Sequence, residues 1–210
     1  LLRIDKQGLQ VLLPLPRIFA ALFLQLPKYQ PMRIIGGKYR GRNFVPPANF
    51  KARPTTDFAK EALFNILNND FNFENIDVLD LFSGTGSISY EFASRGVKSL
   101  IAVESNVKHA AYIEKNFKEL GFTQATIYKS DVFRYLDTCT KKFDVIFADP
   151  PYALENIEEI YHSVFRNNLL TDTSYLIIEH SESNDFSSFP HFVSMKRYGS
   201  VHFSIFDPMK

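Results

Sequence analysis

The chain has 210 residues, 45% of them hydrophobic, with 24 basic and 23 acidic side chains and a net charge of +1. That length and apolar content suit one α/β domain with a large core plus a short addition, and exclude a disordered or collagen-like chain. A single cysteine, Cys139, excludes an internal disulfide and points to a reducing cytoplasmic setting, while the near-zero charge confines any nucleic-acid footprint to a local patch.

Residues 1–31 are rich in Leu, Pro and Phe and show neither a helical nor an alternating period. Arg3 and Lys6 precede an apolar stretch at 11–26, but Pro14, Pro16 and Arg17 interrupt it and no small-residue cleavage site follows. The stretch is too short and broken to span a bilayer. Met32 begins sequence of a different character, so residues 1–31 are expected to be either a poorly ordered arm or, the favoured expectation, an upstream extension with translation starting at Met32. An intact mass that includes them would refute the second expectation.

The next segment, 32–56, reads as a basic addition to a main domain at 57–210. Arg33, Lys38, Arg40, Arg42, Lys51 and Arg53 have no acidic residue among them and interleave with Tyr39, Phe44 and Phe50. Gly36-Gly37 and Gly41 suggest the turns of a short hairpin. Such a segment is either a solvated edge or a surface for phosphate contact and base stacking, and what the rest of the chain does decides between them. A helix then opens near Pro54-Thr55-Thr56-Asp57, with Thr56 or Asp57 as N-cap and Ala62, Leu63, Ile66 and Leu67 as its buried stripe.

The run Asp77-Val-Leu-Asp80-Leu-Phe-Ser83-Gly84-Thr85-Gly86-Ser87-Ile88 is an apolar strand, a glycine turn and the start of a helix that continues to about Arg95. The glycines permit positive φ and close approach of a ligand to the backbone. Asp80 sits near the carboxyl end of the strand, where open α/β sheets bind ligands. A nicotinamide fingerprint would place Gly or Ala where Ser89 stands, and would seat a pyrophosphate that Asp80 repels. A cationic ligand fits better, and S-adenosylmethionine, with its ammonium and sulfonium charges, is the expected cofactor. Asp80, Gly84 and Gly86 are its first candidate contacts.

The strand Ser99–Val103 ends at Glu104, an acidic residue suited to accept hydrogen bonds from both ribose hydroxyls of a nucleoside. A helix at 106–120 stops at Gly121, and a strand at about 125–129 leads into Ser130-Asp131-Val132-Phe133. Asp131 either accepts from an adenine amino group, with Val132 or Phe133 against the ring, or caps the helix Val132–Thr138, or does both.

Phe143–Ala148 is an apolar strand that runs into Asp149-Pro150-Pro151-Tyr152. An exocyclic amino group of a base is a poor nucleophile because its lone pair is delocalised into the ring. A carboxylate and a proline-fixed carbonyl can accept its two N–H bonds and draw the nitrogen towards tetrahedral geometry, since proline presents no N–H and holds the loop stiff. Tyr152 then offers a flat face on which the base stacks. A plain strand-to-helix turn is the competing reading. Asp149, Pro150, Pro151 and Tyr152 are the catalytic candidates. With a base-modifying pocket on the chain, the basic segment reads as RNA contact, through Arg33, Lys38, Arg40, Arg42 and Arg53.

A helix at 157–167 and a fifth strand at 174–179 follow, and Glu179 at its end is either buried, capping or directed to the pocket. Phe192–Tyr198 and Val201–Phe206 alternate as a terminal hairpin that turns at Gly199-Ser200. The five histidines show no metal-ligand spacing, so no metal is expected.

Four ligand-facing motifs therefore end four successive strands. Together with Met32-Arg-Ile-Ile-Gly-Gly-Lys-Tyr-Arg-Gly-Arg42, Arg53-Pro-Thr-Thr-Asp57, Glu61-Ala-Leu-Phe-Asn-Ile66 and Tyr198-Gly199, they make the chain resemble, from about Met32 onward, the RsmD family of bacterial ribosomal RNA guanine-N2 methyltransferases. The resemblance implies a Rossmann-like class I methyltransferase fold: a mostly parallel seven-stranded sheet with an antiparallel C-terminal hairpin and a small basic N-terminal hairpin. It also implies methylation by S-adenosylmethionine of one guanine N2 in the helix 31 loop of 16S rRNA, on an assembled or partly assembled small subunit, by a monomer that uses no membrane. The rivals are a DNA adenine-N6 methyltransferase, which would normally carry a target-recognition domain, and a non-catalytic RNA-binding assembly factor.

Overall fold

Strands that alternate between two apolar faces organise the molecule, as a computed structural model that describes residues 32–47 and 56–210 shows. Residues 1–31 and 48–55 lie outside the described residues, and with them the expectations for the upstream segment and for Arg53. A two-stranded antiparallel ribbon, β1 (Met32–Arg33) and β2 (Asn43–Phe44), comes first. Then follow α1 (Asp57–Asp70), β3 (Asp77–Leu81), α2 (Ser87–Ser94), β4 (Ser99–Val103), α3 (Val107–Glu119), β5 (Ala125–Tyr128) and α4 (Val132–Thr138). The chain ends with β6 (Phe143–Ala148), α5 (Glu158–Arg166), β7 (Leu170–His180), β8 (Phe192–Tyr198) and β9 (Val201–Phe206).

The main sheet has the order β5-β4-β3-β6-β7-β9-β8. Its first five strands are parallel, and β9 and β8 complete it antiparallel. This is the expected class I methyltransferase fold, with the expected terminal hairpin. The central strands are nearly continuous apolar runs because helices cover both faces. Val78, Leu100, Ala102, Val145 and Phe147 share one core with α1, α2 and α3. Leu79, Leu81, Val103, Ile146 and Ala148 share the other with α4 and α5. Successive side chains point to opposite faces, so each strand feeds both layers.

Helix starts follow the polar caps in the sequence. Thr56 Oγ1 accepts from Ala59 N at 3.2 Å, Asn106 Oδ1 from Lys108 N at 2.9 Å, and Asp131 Oδ1 from Arg134 N at 3.0 Å. On α1, Leu63 and Leu67 are buried as expected, Ala62 and Ile66 only partly, and Ala59, Lys60 and Phe64 complete the inner face. The strand expected at 174–179 starts earlier, at Leu170, which pairs with Phe143 across a register shift. Polar Thr171, Asp172 and Thr173 hide that beginning from a pattern search.

Chain winding reverses between β3 and β6, because β3, β4 and β5 proceed outward in one direction and β6 returns to the other side of β3. The crevice at the carboxyl ends of these two strands is where a doubly wound sheet binds ligands.

Candidate active site

Beyond β3, Gly84 and Gly86 both have positive φ, +56° and +83°, and Gly86 is the N-cap of α2. A Cβ on Gly86 would lie 2.8 Å from Tyr90 Cζ and 2.9 Å from Ile113 Cγ1. Helix packing therefore demands this glycine, beside any demand a ligand makes. Glu104, at the end of β4, ties the turn down: its Oε2 accepts from Gly84 N at 2.8 Å and its Oε1 from Asn106 N at 2.7 Å.

Asp80 lies beneath the cleft rather than on its surface, at 2% exposure. The Ser89 hydroxyl donates to its carboxylate, and Ser83 Oγ donates to its backbone carbonyl at 2.8 Å. Burial, and then the charges of Asp149 and Glu104, push the Asp80 carboxyl up to about 7 against the opposing bonds from Ser89 and Ser83. Ser89, the residue that departs from a nicotinamide fingerprint, thus serves the acid of the glycine motif.

After β6, Asp149 keeps a little surface towards the cleft, yet protein surrounds it densely enough that desolvation pushes its carboxyl up to about 7. Pro150 is buried, the Pro151 carbonyl accepts from Leu154 N at 2.8 Å, and Tyr152 stands 74% exposed. The loop leaves Asp149 and Tyr152 directed to one side.

These elements open onto one cleft of about 660 Å³. Among the predicted residues, Gly84, Glu104, Asp131, Val132, Asp149, Pro150, Pro151 and Tyr152 line it. Asp80 and Gly86 stand behind the lining. Asp131 caps α4 and faces the cleft together, so both roles offered for it are compatible. The lining contains Glu104, Asp131, Asp149 and Glu179 but no lysine or arginine among the described residues. Such a cleft attracts cations and hydrogen-bond donors and repels phosphate.

Two buried side-chain atoms among the described residues have no hydrogen-bond partner, Ser87 Oγ and Glu179 Oε2, and both residues line this cleft. Buried polar groups are nearly always paired, so these two leave hydrogen-bonding capacity on the cleft wall for solvent or a polar ligand. Glu179 is the residue that sequence reasoning left undecided. Phe58 and Tyr198 were not predicted either: they line the cleft as an edge-on pair with ring centroids 5.8 Å apart, and Phe58 is 66% exposed. The available signal for Phe58 was an aromatic side chain in the first turn of α1, off its apolar stripe.

The basic residues are distributed unevenly. Arg33 pairs with Asp57 at 2.8 Å, one residue from the lining residues Thr56 and Phe58. Lys38 and Arg40 lie on the hairpin tip, which docks on the far end of α2, where Lys38 N bonds the Ser94 carbonyl at 2.7 Å. An eight-residue helix is about 12 Å long, so the tip stands roughly that far from the glycine turn. Lys38, Arg40 and Arg42 are all exposed.

The family model described as Conserved hypothetical protein 95 matches residues 32–207. The chain belongs to that family, the RsmD family. The Ribosomal RNA small subunit methyltransferase D of Haemophilus influenzae is 32% identical over 153 residues, covering 70% of this chain and 78% of that protein. Its Escherichia coli K12 namesake is 29% identical over 166 residues, covering 79% and 83%. The solved structure of the yhhF protein of Escherichia coli superposes with a TM-score of 0.75 at 26% identity, covering 84% of this chain and 97% of that one.

The residues present fit S-adenosylmethionine, the expected cofactor. Glu104, Asp131 and Val132 with the Gly84 turn would hold the nucleoside end, and the unpartnered Ser87 hydroxyl and the anionic lining suit the amino-acid end. No group of three or more metal-ligating side chains comes together among the described residues, and no helix there is long and apolar enough to cross a membrane.

Proposed function

We propose that this chain transfers a methyl group to the exocyclic N2 of one guanine in 16S rRNA, within the small ribosomal subunit or an assembly intermediate, as a cytoplasmic monomer in ribosome maturation. One observation carries the reading: the Asp149-Pro150-Pro151-Tyr152 loop and the glycine turn share a cleft lined by carboxyl groups and aromatic rings, without a cationic side chain among the described residues. The family and the names of its relatives support rRNA as the substrate.

When bound, S-adenosylmethionine supplies an already activated methyl group on a sulfonium. The protein's task is then to position and desolvate the acceptor. Ionised Asp149 accepts one N2–H and the Pro150 carbonyl accepts the other, which localises the nitrogen lone pair towards the cofactor side of the cleft. Tyr152 stacks on a base splayed from its loop, as enzymes that act on bases require. Asp149 or solvent takes the proton that N2 loses after transfer. Arg33, Lys38, Arg40 and Arg42, outside the cleft lining, are assigned to the RNA backbone, where phosphates escape the negative lining, and Arg53, outside the described residues, is assigned to the same backbone from the sequence alone.

Labelled methyl transfer onto small subunits, naked 16S rRNA and duplex DNA, followed by nucleoside identification, tests this reading. N2-methylguanine on rRNA is the expected product. N6-methyladenine on DNA, or RNA binding without any transfer, would replace it with one of the two rival functions.

A further inference from the structure

Glu179 is the penultimate residue of β7, directly beside the catalytic loop. Ala148 pairs with Ile178 in the parallel β6–β7 ladder, so the next residues, Asp149 and Glu179, leave adjacent strands side by side. Adjacent strands lie about 4.8 Å apart, close to the span of a guanine's Watson–Crick edge from N2 to O6. Glu179 is 8% exposed, lines the cleft with Asp149, Tyr152 and Tyr198, and leaves Oε2 buried without a partner.

We propose that Glu179 selects guanine: its neutral carboxyl accepts the N1–H and donates its own O–H to O6, closing a cyclic pair of hydrogen bonds. The proposal rests on the guanine-N2 reading above and deepens it. With N2 held at Asp149, the neighbouring atoms on the guanine edge are a donor, N1–H, and an acceptor, O6. A neutral carboxyl presents the complementary acceptor and donor in one plane. An ionised carboxylate would meet O6 with a second acceptor. An adenine with its amino group at Asp149 presents N1 and then C2–H, so one of the two bonds is lost and a buried polar atom stays unpaired.

The surroundings keep Glu179 neutral. Burial, then the neighbouring Asp149 charge, push its carboxyl up to about 9. From β6 the facing group is Asp149, and from β8 it is Tyr198. The loop contributes Tyr152, and Glu104, Asp131 and His109 line the same cleft towards the cofactor side. On β9 the paired residue is Phe203. His180, next on β7, points to the other face, where its ring nitrogens bond Ser204 Oγ at 2.7 Å and the Ser181 carbonyl at 2.8 Å. No lysine or arginine lines the cleft among the described residues to restore the charge.

The test compares wild type, E179Q and E179A with S-adenosylmethionine and small subunits over a pH series, beside binding of S-adenosylhomocysteine. E179A is expected to raise KM for the subunit and lower kcat/KM by about 10- to 100-fold, with S-adenosylhomocysteine affinity held within a few-fold. E179Q, whose amide also offers one acceptor and a donor, recovers most of that loss. E179Q as impaired as E179A, or wild-type kcat/KM in E179A, would each overturn the proposal. If E179A fails to fold, E179M, of similar length but with neither donor nor acceptor to match the guanine edge, takes its place in the comparison with E179Q. A wild type that makes no N2-methylguanine refutes the underlying reading first, and this inference with it.

Discussion

At the residue scale, the acids of the cleft set opposite demands on catalysis and on stability. Asp149 must be ionised to accept an amino hydrogen, and burial places its carboxyl at about 7. Lowering the pH through that value protonates it, so kcat/KM should fall on the acid side with a limb near pH 7, read from a pH–rate profile. D149A should lose at least ~100-fold in kcat while S-adenosylhomocysteine binding stays within a few-fold, since the proposed function sets Asp149 against the acceptor base and not the cofactor. Stability runs the other way. Asp80, Asp149 and Glu179 all have folded-state carboxyls raised above their ordinary values, so between those values and about 7 to 9 the native state binds more protons than the unfolded chain. Raising the pH over that window therefore weakens the cofactor-free fold. E179Q removes the largest of these penalties and should raise Tm above about pH 7 by a few degrees, flattening its pH dependence as followed by calorimetry. An unchanged slope would mean that Glu179 is not held neutral.

At the element scale, the N-terminal hairpin is held to the methyltransferase fold by a buried ionic cluster on α1 and α2. Lys60 Nζ bonds Glu91 Oε1 at 3.1 Å and donates to the Arg33 carbonyl, Arg95 bonds Glu91 Oε2, and Ile35 N donates to Glu91 Oε1 at 2.8 Å. Lys60 and Glu91 are 1% and 0% exposed. E91Q leaves the buried Lys60 with Asp57 Oδ1, at 3.3 Å, in place of its buried partner, so it should cost about 2–4 kcal/mol in urea unfolding, beyond a surface ion pair. Gly37 has φ of +72° and its Cβ would lie 2.0 Å from the Ser94 carbonyl oxygen. G37A should cost about 2–3 kcal/mol and expose the hairpin to protease, because backbone rather than a flexible side chain must yield.

At the scale of the whole molecule, charge is partitioned although its sum is only +1. Carboxyl groups collect in the cleft, and Lys38, Arg40 and Arg42 stand exposed on the hairpin, with the tip at the opposite end of α2. On the proposed function a base enters an anionic crevice while its backbone is held from outside, and the two contacts are separable. Reversing these three charges together should raise KM for the rRNA substrate and reduce the salt slope of RNA binding by about 2–3, with cofactor affinity unchanged. A salt slope equal to that of wild type would remove the hairpin from the RNA interface.

Strands, caps and motif order were legible in the sequence because they depend on local pattern. Period-two and continuous apolar runs located β3, β4, β6, β8 and β9, and Thr56 and Asp131 cap the helices that they precede. Chemistry at strand ends was legible for the same reason: Glu104 and Asp149 each follow an apolar strand directly, Asp131 stands shortly beyond the end of β5 at Tyr128, and the carboxyl-edge rule converts that placement into a shared cleft. Contacts between distant segments were not legible. Nothing local distinguishes Asp80, sealed under the floor by Ser89, from the half-buried Asp149 that lines the cleft, or reveals that Gly36-Gly37 exists to admit Ser94 and Arg95. The meaning of Glu179 belongs to the same class. Its sequence neighbours show only a strand end, and the pairing of β6 with β7 brings it beside Asp149 and sets its proton affinity. Sequence alone determined the fold and the kind of chemistry, because period and residue type act over a few positions; burial and charge coupling needed the tertiary structure, because they are sums over groups far apart in the chain.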